Sequence, residues 1–354
     1  MQGVSGDTPL NILNTMINTK IIKINPNKID LEKLKEAGQA IRDGKLVAFP
    51  TETVYGLGAD ALNVNAVLKI FQAKNRPFQD PLIVHVSTWE EVIDLVEEFP
   101  EIAKTLGQLF WPGPLTMVMR KSKIIPDVVT SGLDTVAIRI PNHQVALGLI
   151  KEAKRPIAAP SANIFSRTSP TKAQHVIADL KGRVAIIIDG GETMVGVEST
   201  VLDVTEFPLK ILRLGGVTLE RLEEITSDII IATESRTVKK SPGMFNKHYA
   251  PQAKLILVDN EKEGMTQKIW ELALQYKNNG NKVGIIASKE NSAKYPGFLV
   301  KIIGESQDLE ACAHNLYAQL RALDEQKCQV IISENFENRG LGRAIMDRLR
   351  RAAG

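Results

Sequence analysis

Only two cysteines, Cys312 and Cys328, occur in the 354 residues. Two thiols give neither a disulfide framework nor a zinc site, and they read as reduced cysteines of a cytoplasmic protein. Aromatic residues are scarce, at 5%, and the net charge is only +3. Both facts count against a surface built to stack on or neutralise nucleic acid, while leaving room for a local basic pocket. No window approaches the roughly 18 uninterrupted apolar residues of a membrane helix. The opening stretch MQGVSGDTPLNILNTMINTK places Asp7 and several amides where a secretory signal would be apolar, so residues 1–19 are read as a polar leader. There is no G-x-x-x-x-G-K-[ST], which excludes a P-loop nucleotidase, and no H-E-x-x-H, which leaves no ready-made zinc centre.

What is present is ordinary globular material, 44% apolar and 24% charged, long enough for two domains. Residues 20–231 alternate strands and helices irregularly. KIIKI, KLVAFP, PLIVHV, LTMVMR, TVAIRI, RPIAAP, VAIIID, STVLDV and LKILRL read as strands. DLEKLKEAGQAIRDG reads as an amphipathic helix with Asp30 as its cap, and VNAVLKIFQAK as a second. The order predicts an α/β domain of α+β character on a mixed sheet. Residues 232–252 lack apolar periodicity and read as a linker. Over 253–354 strands and helices alternate regularly, which predicts a small doubly wound parallel sheet. Its last helix, LGRAIMDRLRRAAG, has a basic face read as solvated charge.

KNRPFQDPLIVHV (74–86) crowds Lys74 and Arg76 between a helix end and Pro77. Lys74 suits a helix C-terminus, but Arg76 lies beyond it. GLGADA (56–61) nearly matches the dinucleotide motif, but TETVY separates it from the preceding strand, so its glycines are read as serving a tight turn. FPTETVYGLGADA delivers Thr51, Glu52, Thr53 and Tyr55 to a strand end, either as ligand groups or as a polar loop. In APSANIFSRTSPTKAQHV, Ser161 and Asn163 follow a strand, and Ser169, Pro170 and Thr171 are read as opening a helix, a seat for phosphate or plain capping. Arg139 and Arg213 interrupt apolar strands, and each is either buried with a partner or turned outward. Glu198, Ser199 and Thr200 precede another strand. Together these cations and hydroxyls describe a pocket for a polyanion and a small polar co-substrate.

FPTETVYGLGADA, KNRPFQDPLIVHV, FWPGPLT, VAIRIPNH, APSAN and ESTVLDV resemble, in order and spacing, the Sua5/YrdC family, and SPGMFNKHYAP resembles the linker of its long form. The resemblance runs from about residue 20 to the C-terminus. It implies threonylcarbamoyl-AMP synthase activity, with L-threonine, bicarbonate and ATP as substrates, Mg²⁺ arriving with ATP, and a downstream tRNA threonylcarbamoyl transferase as consumer of the product. By motif, Lys74, Arg76, Ser161 and Asn163 are implied to face the phosphates. Asp80, Thr135, Ser169, Arg213 and Tyr249 are implied to touch ATP, and Thr53, His85, Arg139, the Ala159 backbone and Ser199 to hold threonine. No metal ligand is implied. Two other readings stand beside this one. The first is a non-catalytic module for structured RNA or tRNA, resting on the basic clusters, which also allow a weak RNA contact by the enzyme itself. The second is a dinucleotide-dependent oxidoreductase resting on GLGADA.

Overall fold

The structure, a computed structural model, describes residues 17–232, 248–259 and 264–354. Most of the polar leader and most of the linker therefore lie outside the described residues. The first set of strands is β1 (Lys20–Lys23), β2 (Val47–Phe49), β3 (Gly56–Asp60), β4 (Ile83–His85), β5 (Leu115–Arg120), β6 (Thr135–Arg139) and β7 (Ile157–Ala158). It continues with β8 (Ile186–Asp189), β9 (Thr200–Asp203), β10 (Leu209–Arg213) and β11 (Ile229–Ile231). The helices among them are α1 (Leu31–Arg42), α2 (Val64–Lys74), α3 (Trp89–Leu95), α4 (Glu101–Phe110), α5 (Asp127–Thr130), α6 (Gln144–Ala153), α7 (Ala173–Leu180) and α8 (Leu219–Glu223).

These strands form one mixed sheet, in the order β1-β8-β2-β3-β7-β4-β6-β5-β9-β10-β11. β4 and β6 run parallel, while β7 runs antiparallel to both β3 and β4. Helix α1 forms as its sequence dictates: Asp30 accepts from the Lys33 amide, and Leu34, Ala37 and Ile41 bury one face. That face packs with Leu149 and Ile150 of α6 and with β1, β8 and β2 at one end of the sheet. Helix α2 packs Val67, Ile70 and Phe71 into the larger core around Leu57, Val84 and Ile138.

The second sheet is formed by β12 (Lys254–Leu257), β13 (Val283–Ala287), β14 (Leu299–Ile302) and β15 (Val330–Ser333). Its order is β12-β15-β13-β14, with all pairings parallel. Helix α9 (Met265–Asn278) covers one face through Ile269 and Ala273. Helices α10 (Leu309–Glu325) and α11 (Leu341–Ala353) cover the other through Leu316, Leu320, Ile345 and Leu349. The expected fold class, a mixed-sheet α/β domain followed by a small doubly wound sheet, is what the chain adopts. The α10–α11 layer does not end at its own sheet. Val54, Val197 and Tyr249, from around the first sheet, belong to the same apolar cluster.

Three local expectations require correction. GLGAD is a buried strand, β3, paired antiparallel with β2, and not a tight turn. A Cβ at Gly58 would meet Ile157 Cγ2 and Phe49 Cε1 at 2.8 Å each, so close approach of neighbouring side chains, not turning, requires that glycine. The strand geometry also removes the phosphate-loop basis of the oxidoreductase reading. Second, α7 begins at Ala173 with Lys172 as its cap residue, so Ser169 does not open a helix. Third, the α11 arginines are not simply solvated. All four are paired: Arg343 with Glu220, Arg348 with Glu198 and Asp347, Arg350 with Asp259, and Arg351 with Asp347. The cationic C-terminal helix, one of the features behind the RNA-binding reading beside the basic clusters, thus has its arginines in intramolecular pairs.

Candidate active site

A cavity opens where several strand ends meet. β4 and β6 are in parallel register, so His85 and Arg139 are direct partners at their C-terminal ends. β7 runs beside β4, and the Ala159 amide donates to the Ile83 carbonyl at 2.9 Å. From β7 the chain enters the Ser161–Asn163 turn, with Ser161 bridged to Gly56. Arg213 closes β10, and Glu198 and Ser199 precede β9. The segment from His248 to Ala250 crosses this region: the Ala250 amide donates to Ser166 at 2.8 Å and the His248 amide to Arg351 at 3.1 Å.

Of the fourteen site residues implied by the resemblance, Thr53, Arg76, His85, Arg139, Ala159, Ser161, Ser199, Arg213 and Tyr249 line this cavity, as do Thr51, Tyr55 and Glu198. Five others do not line it. Lys74, at the end of α2, donates through Nζ to the carbonyls of Ser161 and Asn163 and so grips the turn from behind. Asp80 pairs with Arg76 at 2.8 Å, with both side chains buried. Asn163 donates through Nδ2 to the carbonyls of Ile164 and Arg167. Ser169 donates to Glu198 Oε1 at 2.5 Å. Thr135 begins β6, the strand whose other end carries Arg139, and pairs with Arg120.

The open alternatives for the two strand arginines resolve inward. Arg139 donates to Thr53 Oγ1 at 2.9 Å and to the Gly113 carbonyl at 3.2 Å, and lies 2.7 Å from Glu52 Oε1. The last contact is one of charge without aligned hydrogen-bond geometry. Arg213 donates to the Ser199 carbonyl and, at 3.1 Å, to its hydroxyl. Ser199 Oγ lies a further 2.8 Å from Thr116 Oγ1. A Cβ on Gly215 would stand 2.3–2.5 Å from the backbone of Glu198, Ser199 and Thr200, so this glycine lets the β10 exit lie against the Ser199 turn.

Burial dominates the electrostatics. It holds the Lys74 ammonium well below its ordinary pKa, with the neighbouring Arg76 charge adding to the effect. Burial, then Arg139, lowers the His85 pKa to about 3, so the imidazole is neutral and a weak base at pH 7. Burial pushes the Glu198 carboxyl up, but Arg348, Arg213 and the Ser169 hydroxyl together bring it down to about 2. Tyr249 adopts φ +61, in the left-handed region. Its buried hydroxyl and Asn163 Oδ1 lack hydrogen-bond partners among the described residues, and such groups are expected where a ligand completes the network.

Sequence reasoning missed Glu52 as the partner of Arg139 and Glu198 as a buried carboxylate. It also missed the contribution of α10 and α11, whose Tyr317 and Arg348 reach Glu198.

A family model described as "Telomere recombination", covering Sua5, YciO and YrdC proteins, matches residues 39–215. A second, "Threonylcarbamoyl-AMP synthase, C-terminal domain", matches 217–354. The chain is 49% identical over 331 residues to the threonylcarbamoyl-AMP synthase of Pyrococcus abyssi, covering 92% of this chain and 96% of that one. It is 45% identical over 326 residues to that of Bacillus subtilis, covering 91% and 93%. The crystal structure of P. abyssi Sua5 complexed with L-threonine superposes with a TM-score of 0.89 at 47% identity, covering 94% of this chain and 97% of that one. With both sheets accounted for over almost their whole length, the chain belongs to the Sua5/YrdC family in its long, two-domain form.

Proposed function

We propose that this protein is a threonylcarbamoyl-AMP synthase, joining L-threonine, bicarbonate or dissolved CO₂, and ATP, with release of pyrophosphate. The observation that carries the reading, beside family membership, is the convergence of Arg76, Arg139 and Arg213 with Thr53, Ser161 and Ser199 around one cavity. A pocket of guanidinium groups and hydroxyls suits a triphosphate and an amino acid held side by side.

The threonine amine adds to the carbon of CO₂ and loses a proton, giving a carbamate. A carbamate oxygen then attacks the α-phosphorus, and the bond to the bridging oxygen breaks as pyrophosphate departs. No side-chain nucleophile is needed. Charge builds on phosphate oxygens, so fixed cations aimed at them supply the main stabilisation, and holding three reactants together supplies much of the rest. In this reading Arg76, Ser161 and Arg213 face the nucleotide, with Asp80, Thr135, Asn163, Ser169 and Tyr249 contributing to its site. Lys74 holds the Ser161–Asn163 turn in place from behind, through its Nζ contacts to the two carbonyls. Thr53, Arg139, the Ala159 backbone and Ser199 hold threonine. His85, neutral at pH 7, serves as a hydrogen-bond partner in preference to a base. His248 and Tyr249 line the cavity and limit water there, which protects a carbamate and a mixed anhydride from hydrolysis.

Magnesium enters this reading as part of MgATP. Among the described residues no three His, Cys, Asp or Glu side chains are grouped as a metal would need. The nearby carboxylates Glu52 and Glu198 are already committed to Arg139 and Arg348. The product passes to a tRNA threonylcarbamoyl transferase in the cytoplasm. No described helix is long and apolar enough to cross a membrane. The test is pyrophosphate release by the purified protein. It should require ATP, threonine and bicarbonate together, and output indifferent to threonine would refute the assignment.

A further inference from the structure

Glu198 lines the cavity, yet its carboxylate is held mostly from the second sheet's layer. Arg348 of α11 donates through Nε to Oε2 at 2.8 Å, and Tyr317 of α10 donates to the same oxygen at 3.0 Å. Ser169 takes Oε1 at 2.5 Å. Arg348 is the largest fully buried side chain among the described residues, at 1% exposure. Its position is fixed three times more, first by the neighbouring Asp347 carboxylate, to which it also donates. It donates to the Leu214 carbonyl at 2.8 Å, one residue beyond Arg213, and its guanidinium carbon lies 4.8 Å from the centre of the Tyr249 ring. Tyr317 stacks on Tyr249, 6.0 Å between ring centres. One arginine from the C-terminal domain thus touches a cavity carboxylate, the exit of β10 and an aromatic ring that lines the cavity.

The charge arithmetic gives this a consequence. A triphosphate is an anion, and Glu198 beside it is another. Arg213, the other cation acting on Glu198, is also the cation that closes β10 on the cavity wall. Without Arg348, Glu198 either faces the triphosphate unneutralised or draws Arg213 toward itself. Either outcome weakens the cationic wall. The threonine-side pair, Arg139 with Glu52, shares no contact with Arg348 and is expected to be left alone.

Building on the functional reading above, we propose that Arg348 is a positioning residue for the nucleotide half of the site. It neutralises Glu198 and seats Tyr249, so that Arg213 keeps its place on the cavity wall facing the triphosphate. The C-terminal domain is then a component of the active site and not an appended scaffold.

Isothermal titration of the full-length protein with ATP, and separately with L-threonine, tests this without relying on turnover. Arg348→Met is expected to weaken ATP binding about 10-fold or more, while changing threonine binding less than about 3-fold. The charge-balanced double variant Glu198→Gln/Arg348→Met has no orphaned carboxylate and is expected to recover most of the lost ATP affinity. Melting temperatures are read on the same samples. If Arg348→Met does not fold, the comparison of the double variant with Glu198→Gln decides, and ATP affinities within about 3-fold of each other are expected there. The proposal is overturned if Arg348→Met binds ATP like the wild type, if both ligands weaken equally, or if Glu198→Gln restores nothing. Failure of the synthase reading appears separately, as wild-type protein that releases no threonine-dependent pyrophosphate whatever these titrations show.

Discussion

Arg139, which lines the cavity, and Glu52 meet 2.7 Å apart, each almost wholly withdrawn from water. Arg139 arrives from the end of β6 and Glu52 from the loop after β2, and Thr53, beside Glu52, accepts a hydrogen bond from the same guanidinium. A buried pair of this kind contributes little net stability, but breaking it strands a charge. Arg139→Met should therefore destabilise the fold by about 3–5 kcal/mol. Glu52→Gln in the same chain should restore a good part of that loss, because no carboxylate is then left alone. Urea denaturation of the three variants measures both effects. Threonine-dependent activity should stay low in the double variant, since the groove would still lack its cation.

His85 gives a pH signature. Its pKa is about 3 in the folded chain, against about 6.5 for an ordinary histidine. Between those values the unfolded chain binds the extra proton, so stability falls as pH drops through that window and levels off below it. From about pH 7 to about pH 5 this one group should remove about 2 kcal/mol. His85→Asn should flatten the slope without abolishing it, because His175 is also lowered to about 3 by burial and the nearby Arg321. Unfolding free energies at the two pH values check this. A slope unchanged by His85→Asn would contradict burial as the cause.

Gly58 marks where local reading misleads. Glycine is depleted in strands, so GLGAD carries no strand signal of its own. It is held extended by β2 and β7 on either side, with Phe49 and Ile157 filling the space a side chain would take. Gly58→Ala should cost about 1–3 kcal/mol through overpacking. A Gly132→Ala control should differ, because a Cβ there meets nothing and its cost is that of a positive φ alone. Denaturation midpoints of the two variants separate steric from conformational strain.

The same distinction explains what the sequence could and could not reveal. Helix α2 was legible to its last residue because its period and its Asn63 cap are local. Most strands of the first sheet were legible for a similar reason: runs such as VAIIID and LKILRL are apolar enough to declare themselves. Arg139 and Arg213 were visible as cations out of place, though not their inward direction, which is set by register with other strands. Ser169 imitated a helix cap because Ser-Pro-Thr does so often, whereas its hydroxyl is taken by Glu198 and the helix starts later. The Glu198–Arg348 pair spans 150 positions. Nothing near either residue distinguishes a buried arginine from the solvated ones that a basic helix normally presents, so the share of the C-terminal domain in the site emerged only from the tertiary structure.

Lys74 offers the sharpest remaining test of roles. Its Nζ donates to the Asn163 carbonyl at 2.5 Å and also to Ser161, tying the end of α2 to the turn that carries Ser161 into the cavity. Lys74→Met would leave two carbonyls without their donor and should cost about 2–4 kcal/mol in stability, since each orphaned buried acceptor costs about 1–3 kcal/mol. Activity should fall by at least about 100-fold, since the turn would lose its placement. If Lys74 acts through that turn, Ser161→Ala should add little to kcat/KM once Lys74 is gone, because both changes disable one unit. If its charge reaches the phosphates independently, the two losses should multiply. Steady-state pyrophosphate release by the two single variants and the double variant decides between these routes, and multiplicative losses would reject the turn as the means by which Lys74 acts.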